Sequence, residues 1–146
     1  MDNLKEEIIA AGNLIEQNGK FILVQEKRAD SRGMWNFPMG RKEVNEDIIS
    51  CAKREGKEET GLDLRPIYLI GKYTFCLPSG NKVIAYIFIS EIVGGKLSTP
   101  EDMMDVRQFS LEEIKELDEK SIAPFINNVI QDYKSGERIP LDEVDL

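Results

Sequence analysis

One segment limits the possible folds more than any other: an amphipathic helix ending near Thr60, set between two stretches rich in β-branched and aromatic residues. Its second half runs Arg54-Glu55-Gly56-Lys57-Glu58-Glu59-Thr60-Gly61. At about 100° per residue, Glu55, Glu58 and Glu59 share an arc of roughly a third of the helix circumference. Ile49, Ala52 and Gly56 occupy the neighbouring arc and press against whatever the helix packs on. The carboxylate ridge therefore belongs at the edge of the buried face, where a cleft can form. Asn45 is expected as the N-cap, with Glu46 and Asp47 placing negative charge at the helix start and Gly61 giving a left-handed stop.

The flanking segments follow a different period. Ile8 to Ile15 and Gly19 to Gln25 read as an antiparallel hairpin that turns at Gln17-Asn18-Gly19, because Asn-Gly suits a tight turn. Lys27 to Gly33 reads as an exposed loop, and Trp35-Asn36-Phe37 as a short strand ended by Pro38. Leu64 to Leu77 and Lys82 to Val93 form a second, central hairpin around Pro78-Ser79-Gly80-Asn81. Gly94 to Asp105 is an acidic loop and Val106 to Phe109 a short strand. Ser110-Leu111-Glu112-Glu113 then opens a helix with a capping box. A further helix puts Ile122, Phe125, Ile126, Val129, Ile130 and Tyr133 on one stripe and stops at Gly136. Hairpins and helices without regular βαβ alternation predict an α/β chain of the α+β type, a mixed β-sheet packed by helices. Its 146 residues and 41% hydrophobic content suit one domain, 1–146.

Composition removes several kinds of chemistry. Histidine is absent, so Ser-His-Asp and Cys-His catalysis and His-ligated zinc are excluded. Carboxylates, Lys, Arg, Tyr or a metal must do the work. A net charge of -8, from 19 Lys plus Arg against 27 Asp plus Glu, opposes binding to bulk nucleic acid or an anionic membrane. An acidic chain acts on an anionic ligand when a cation stands between carboxylates and phosphates. Cys51 and Cys76, without a CxxC pair, read as small buried apolar residues of a reducing compartment. No signal peptide or membrane span is evident in the sequence, so a cytoplasmic protein is expected, monomer or homodimer.

Like charges three and four positions apart destabilise an exposed helix by a few tenths of a kcal/mol per pair, unless a cation sits among them. Hard oxygen ligands at this density suit Mg²⁺, with Mn²⁺ possible, and such ions take further ligands from substrate phosphates. The ridge belongs to a longer pattern: Gly40, five residues, Glu46, seven residues, Arg54-Glu55, two residues, Glu58-Glu59, one residue, Gly61, then aliphatic Leu62. This segment resembles the box of the Nudix hydrolases, and Trp35-Asn36-Phe37-Pro38-Met39-Gly40 is similar to that family's lead-in. The resemblance implies an α/β/α sandwich around a mixed sheet and hydrolysis of a phosphoanhydride in a small phosphorylated metabolite.

Residue by residue, the resemblance implies that Glu55, Glu58 and Glu59 are catalytic and bind metal with the carbonyl of Gly40. It also implies that Glu46 and Arg54 pair structurally. Glu55 is the first candidate for general base; Glu101, Asp102 and Asp105 are candidates for an extra base or ligand. Arg28 and Arg41 are candidates for phosphate binding and Trp35 for stacking on a substrate ring. Gly56 and Met39 depart from the family pattern, which usually has an aliphatic residue and often Gly there. The Gly56 departure predicts either a stability cost or a closer approach of helix to sheet. Ser110 to Glu113, Tyr133-Lys134-Ser135-Gly136 and Pro140-Leu141 are similar to small bacterial phosphatases of the family. Those act on thiamine pyrophosphate and nucleoside di- and triphosphates, which puts such substrates first. Alternatives are an oxidised-nucleotide pyrophosphatase, an ADP-ribose pyrophosphatase (Pro78 lies where those enzymes often carry proline), and a non-catalytic nucleotide-binding domain.

Overall fold

In the computed structural model, which describes residues 6–144, the Asn18-Gly19 turn closes a much shorter hairpin than the sequence suggests. Both turn residues have positive φ, 54° and 79°, and they join β2 (Glu16–Gln17) to β3 (Lys20–Glu26). The preceding strand, β1 (Glu7–Leu14), does not pair with β3. It runs parallel to β7 (Lys82–Gly95) along its whole length and antiparallel to β5 (Met39–Arg41). The expected hairpin is thus split between two sheets. Local turn chemistry specified the turn, while burial of Ala10, Ala11 and Leu14 between layers decided where β1 goes.

The larger sheet has the order β5-β1-β7-β6-β9, with β6 spanning Leu62–Cys76 and β9 Ile139–Pro140. The parallel pairing of β1 with β7, beside antiparallel pairs, makes it a mixed sheet. In the smaller sheet β3 pairs antiparallel with β2, β4 (Trp35–Asn36) and β8 (Met103–Ser110). Strand β8 begins inside the expected acidic loop, so Asp105 is a strand residue opposite Gln25.

Helix α1 (Ile48–Thr60) packs Ile48, Cys51 and Ala52 on Ala11, Leu69, Tyr86 and Phe88 of the larger sheet. Asn45 is not its N-cap: that residue turns left-handed at φ 70°, and Asp47 caps instead by accepting from Ser50 N–H at 2.7 Å. Gly61 ends the helix at φ 79°. The opposite face of the sheet is covered by the smaller sheet, by α2 (Leu111–Glu116) with its Ser110/Glu113 capping box, and by α3 (Ile126–Lys134). Helix α3 starts later than the Ile122 stripe suggests. Ala123 donates its N–H to the Trp35 carbonyl, and Pro124 holds the residue before it out of helical conformation. Cys51 is buried, but Cys76 is exposed near the end of β6, contrary to the sequence reading. Among the described residues no helix is long and apolar enough to cross a membrane.

Candidate active site

Glu59 points inward from the last turn of α1 and retains 7% exposure. Its Oε1 accepts from the backbone N–H of Met39 at 3.0 Å, which fastens the helix to the turn before β5. Burial pushes its carboxyl up to about 9, with Glu26, Glu55 and Asp102 raising it further and the Met39 N–H acting in the other direction. Glu55, one turn earlier, lies against Gly40. A Cβ built on Gly40 would fall 2.2 Å from the Glu55 carboxyl carbon, so only glycine lets that carboxylate approach the β5 backbone. Burial raises the Glu55 carboxyl and the neighbouring Arg54 lowers it, leaving it above the ordinary range. Glu58 faces outward, about half exposed.

Arg54 joins these acids to the loop. Its Nε and Nη2 donate to the two oxygens of Glu46 at 2.6 and 2.9 Å, a bidentate pair, and Nη2 also donates to the Arg41 carbonyl. This hydrogen bonding holds the Glu46 carboxyl well below its usual range, at about 2. Nη1 donates to Glu55 at 2.8 Å and reaches Glu58 at 3.2 Å. Among the described residues, no three acidic side chains already stand around one point at metal-coordinating distance.

Two polar residues of the site escaped the sequence reading. Glu26, at the end of β3, is only 5% exposed, and burial raises its carboxyl. It follows the continuous buried run of residues 21–24, both faces of which are covered, so alternation along the strand does not mark its direction. Asn13 is fully buried beneath α1. Its Nδ2 donates to the carbonyls of Pro38 (3.1 Å) and Ala52 (2.9 Å), and its Oδ1 accepts from Ser90 Oγ at 2.7 Å. One side chain thereby ties β1, the turn before Gly40, the helix and β7 together; a polar residue within the apolar β1 run was its signal.

The remaining candidates divide by position. Arg28 and Arg41 line a cavity of about 340 Å³, together with Glu26, Gly40 and Asn36 and the apolar Met34, Phe75, Leu77, Pro78, Val83 and Phe125. Phe125 stacks on Phe75 at 5.1 Å, which fixes that wall. Trp35 is absent from this lining. It is buried in the core edge-on to Phe109 at 4.7 Å, with the Arg107 guanidinium over its face. Of the acids outside the helix, Asp102 bears electrostatically on both Glu26 and Glu59. Asp105 is occupied by Arg107 Nε at 2.6 Å, and the Glu101 carbonyl accepts from Lys27.

These residues fit a divalent cation. Two nearly buried carboxylates, Glu26 and Glu59, stand close enough to repel each other, and the Gly40 cradle brings a third, Glu55, against a backbone strand. Such a group is costly to ionise without a positive charge among it.

Comparison with known proteins gives a consistent result. The NUDIX domain pattern matches residues 7–132. Phosphatase NudJ of Escherichia coli K12 is 29% identical over 134 residues, covering 90% of this chain and 86% of that protein. A NUDIX hydrolase structure from Nitrosomonas europaea superposes with a TM-score of 0.86 at 29% identity over 97% of each chain. A MutT protein from Methanosarcina mazei Go1 superposes with a TM-score of 0.76 at 27% identity, covering 90% of this chain and 95% of that one.

Proposed function

The chain belongs to the NUDIX domain family and is a Nudix hydrolase, and from that premise we propose that it cleaves a phosphoanhydride bond in a nucleoside di- or triphosphate or a thiamine-type diphosphate, with Mg²⁺ as its ion. Enzymes of this family generally use divalent metal ions and act on small phosphorylated substrates. The observation that carries the finer reading is the continuity between the acids and the cavity: Gly40 and Glu26 line the same space as Arg28, Arg41 and the apolar wall of Phe75 and Phe125.

Glu55, Glu58, Glu59 and the Gly40 carbonyl are the residues that would hold the metal, with Mn²⁺ an acceptable substitute. When bound, a divalent cation supplies charge neutralisation at the phosphate oxygens and lowers the pKa of a water. Arg54 keeps Nε and Nη2 on Glu46 and the Arg41 carbonyl, so only its Nη1 contact competes for Glu55 and Glu58. In this reading Glu46 and Arg54 hold the loop on the helix and take no part in the bond cleavage. Glu55 receives the proton of the attacking water: Arg54 holds its Oε1, and its carboxylate lies over Gly40. Asp102 is the second candidate, because it alone of the three outer acids bears on the buried pair.

Arg28 and Arg41 bind substrate phosphate at the cavity rim, where both side chains are mostly exposed. The apolar wall takes one ring system, for which a space of about 340 Å³ is suited. Trp35 is left out of substrate contact and supports the core beneath β4. The similarity to phosphatase NudJ supports placing terminal-phosphate substrates first. The test is a Mg²⁺-supplemented screen of phosphorylated metabolites in H₂¹⁸O, read by mass spectrometry. Thiamine-type diphosphates and nucleoside di- and triphosphates should give ¹⁸O-labelled phosphate or pyrophosphate. Turnover confined to ADP-ribose or to oxidised nucleotides would overturn the substrate assignment, and no turnover of any compound would favour a ligand-binding domain.

A further inference from the structure

Strand β3 is apolar from Phe21 to Val24 and then places a glutamate in the protein interior. The ladder to β8 shifts register between Gln25 and Glu26, a local irregularity of the kind that re-aims a side chain. Glu26 lines the cavity that Gly40 also lines. Its carboxylate receives no hydrogen bond from any N–H or O–H group among the described residues. Among the described residues the one cation near it is Arg28, whose Nε stands 3.9 Å away on a side chain 73% exposed. Glu59 is its neighbour in charge, and Asp30 and Asp102 add further repulsion.

A buried polar side chain kept for structure finds partners, and the buried Asn13 shows this chain doing so, with two hydrogen bonds donated to carbonyls and one accepted from Ser90 Oγ. Glu26 accepts none among the described residues. An aliphatic residue would fill the same slot without the desolvation cost, and the Glu26 oxygens are not sealed off but open to the cavity, so a partner for the carboxylate has its way in from there. A phosphate group would be repelled. A small hard cation bridging Glu26 and Glu59 meets every constraint: it is positive, takes oxygen ligands, and tolerates one ligand from a strand and another from a helix.

We propose that Glu26 is a direct ligand to the divalent ion, contributed by β3 to join Glu59; this rests on the reading of α1 as the metal-binding helix. Metal binding would then fasten the smaller sheet to the helix. The cation also screens Glu26 from the substrate phosphates, so the cavity accepts an anion only in the metal-loaded enzyme.

The test is Mn²⁺ binding to metal-free enzyme by titration calorimetry, for wild type, Glu26→Gln and Glu59→Gln, with the Mn²⁺-induced rise in Tm measured alongside. Glu26→Gln should bind Mn²⁺ about tenfold more weakly or worse, and lose part of the Tm rise. Its metal-free Tm should equal or exceed that of wild type, because a buried charge has gone. Glu26→Asp, which keeps the charge but shortens the reach, carries the same comparison should the Gln variant not fold. Unchanged Mn²⁺ affinity and stoichiometry in the Glu26 variants, with weakened binding in Glu59→Gln, overturns this inference alone. Unchanged binding in all of the variants overturns the metal-site reading as well.

Discussion

At the scale of single residues, the surroundings of each glutamate decide its role more than its place in the motif does. Glu59, buried, with one N–H donor and three carboxylates acting on it, is held neutral far above its ordinary value of 4.5, up to about 9. The folded protein keeps that proton across a pH range in which the unfolded chain has lost it, so stability falls as pH rises through the window. With metal removed by chelation, Glu59→Gln should therefore gain on wild type as pH rises from 5 to 8, read as the difference in Tm. A gap that stays constant or closes would contradict the burial account. Glu46 shows the opposite case, because Arg54 hydrogen-bonds both of its oxygens and keeps it ionised. The spacing of Glu55, Glu58 and Glu59 was visible in the sequence, since helical period alone puts them on one edge. Glu26 and Asn13 were not singled out, because a lone polar residue in an apolar strand has no meaning until its partners are known, and these lie on other elements.

At the scale of elements, the contact between α1 and the larger sheet sets the site. Gly56 is one place where that contact is close: an added Cβ would fall 2.4 Å from Leu64 Cδ1 and 3.1 Å from Asn13 Nδ2. Of the two consequences the sequence allowed, a closer approach is the one the geometry shows. The approach also lets Asn13 reach the Ala52 carbonyl. Gly56→Leu, which restores an aliphatic residue, should accordingly destabilise the fold by about 1–3 kcal/mol through overpacking. Denaturant unfolding would measure it, and a stabilised variant would contradict the packing account. Helix α1, the β6–β7 hairpin and the Ser110 capping box were legible because each is specified by neighbours in sequence. The N-cap was missed by two residues, since both Asn45 and Asp47 suit caps and only the left-handed turn at Asn45 separates them.

At the scale of the molecule, the cavity lies where the two sheets part. It is lined from β1, β5, β6 and β7 on one side and from β3 and β4 on the other. The split follows from β1 abandoning β3 for β7, a parallel pairing between segments about 75 residues apart. No local signal records such a pairing, which is why the Asn-Gly turn suggested a longer hairpin than forms. A net charge of -8 on a chain that handles phosphates is reconciled by an ion at the junction of helix and sheets, with Arg28 and Arg41 at the rim. The most direct test of this account is the rate of phosphate release under saturating Mg²⁺ by wild type and by Glu59→Gln, each shown to be folded by circular dichroism. A fall of about 100-fold or more in the variant is predicted, the scale of loss seen when one electrostatic contact to a transition state is removed. Equal rates from the two proteins would contradict it.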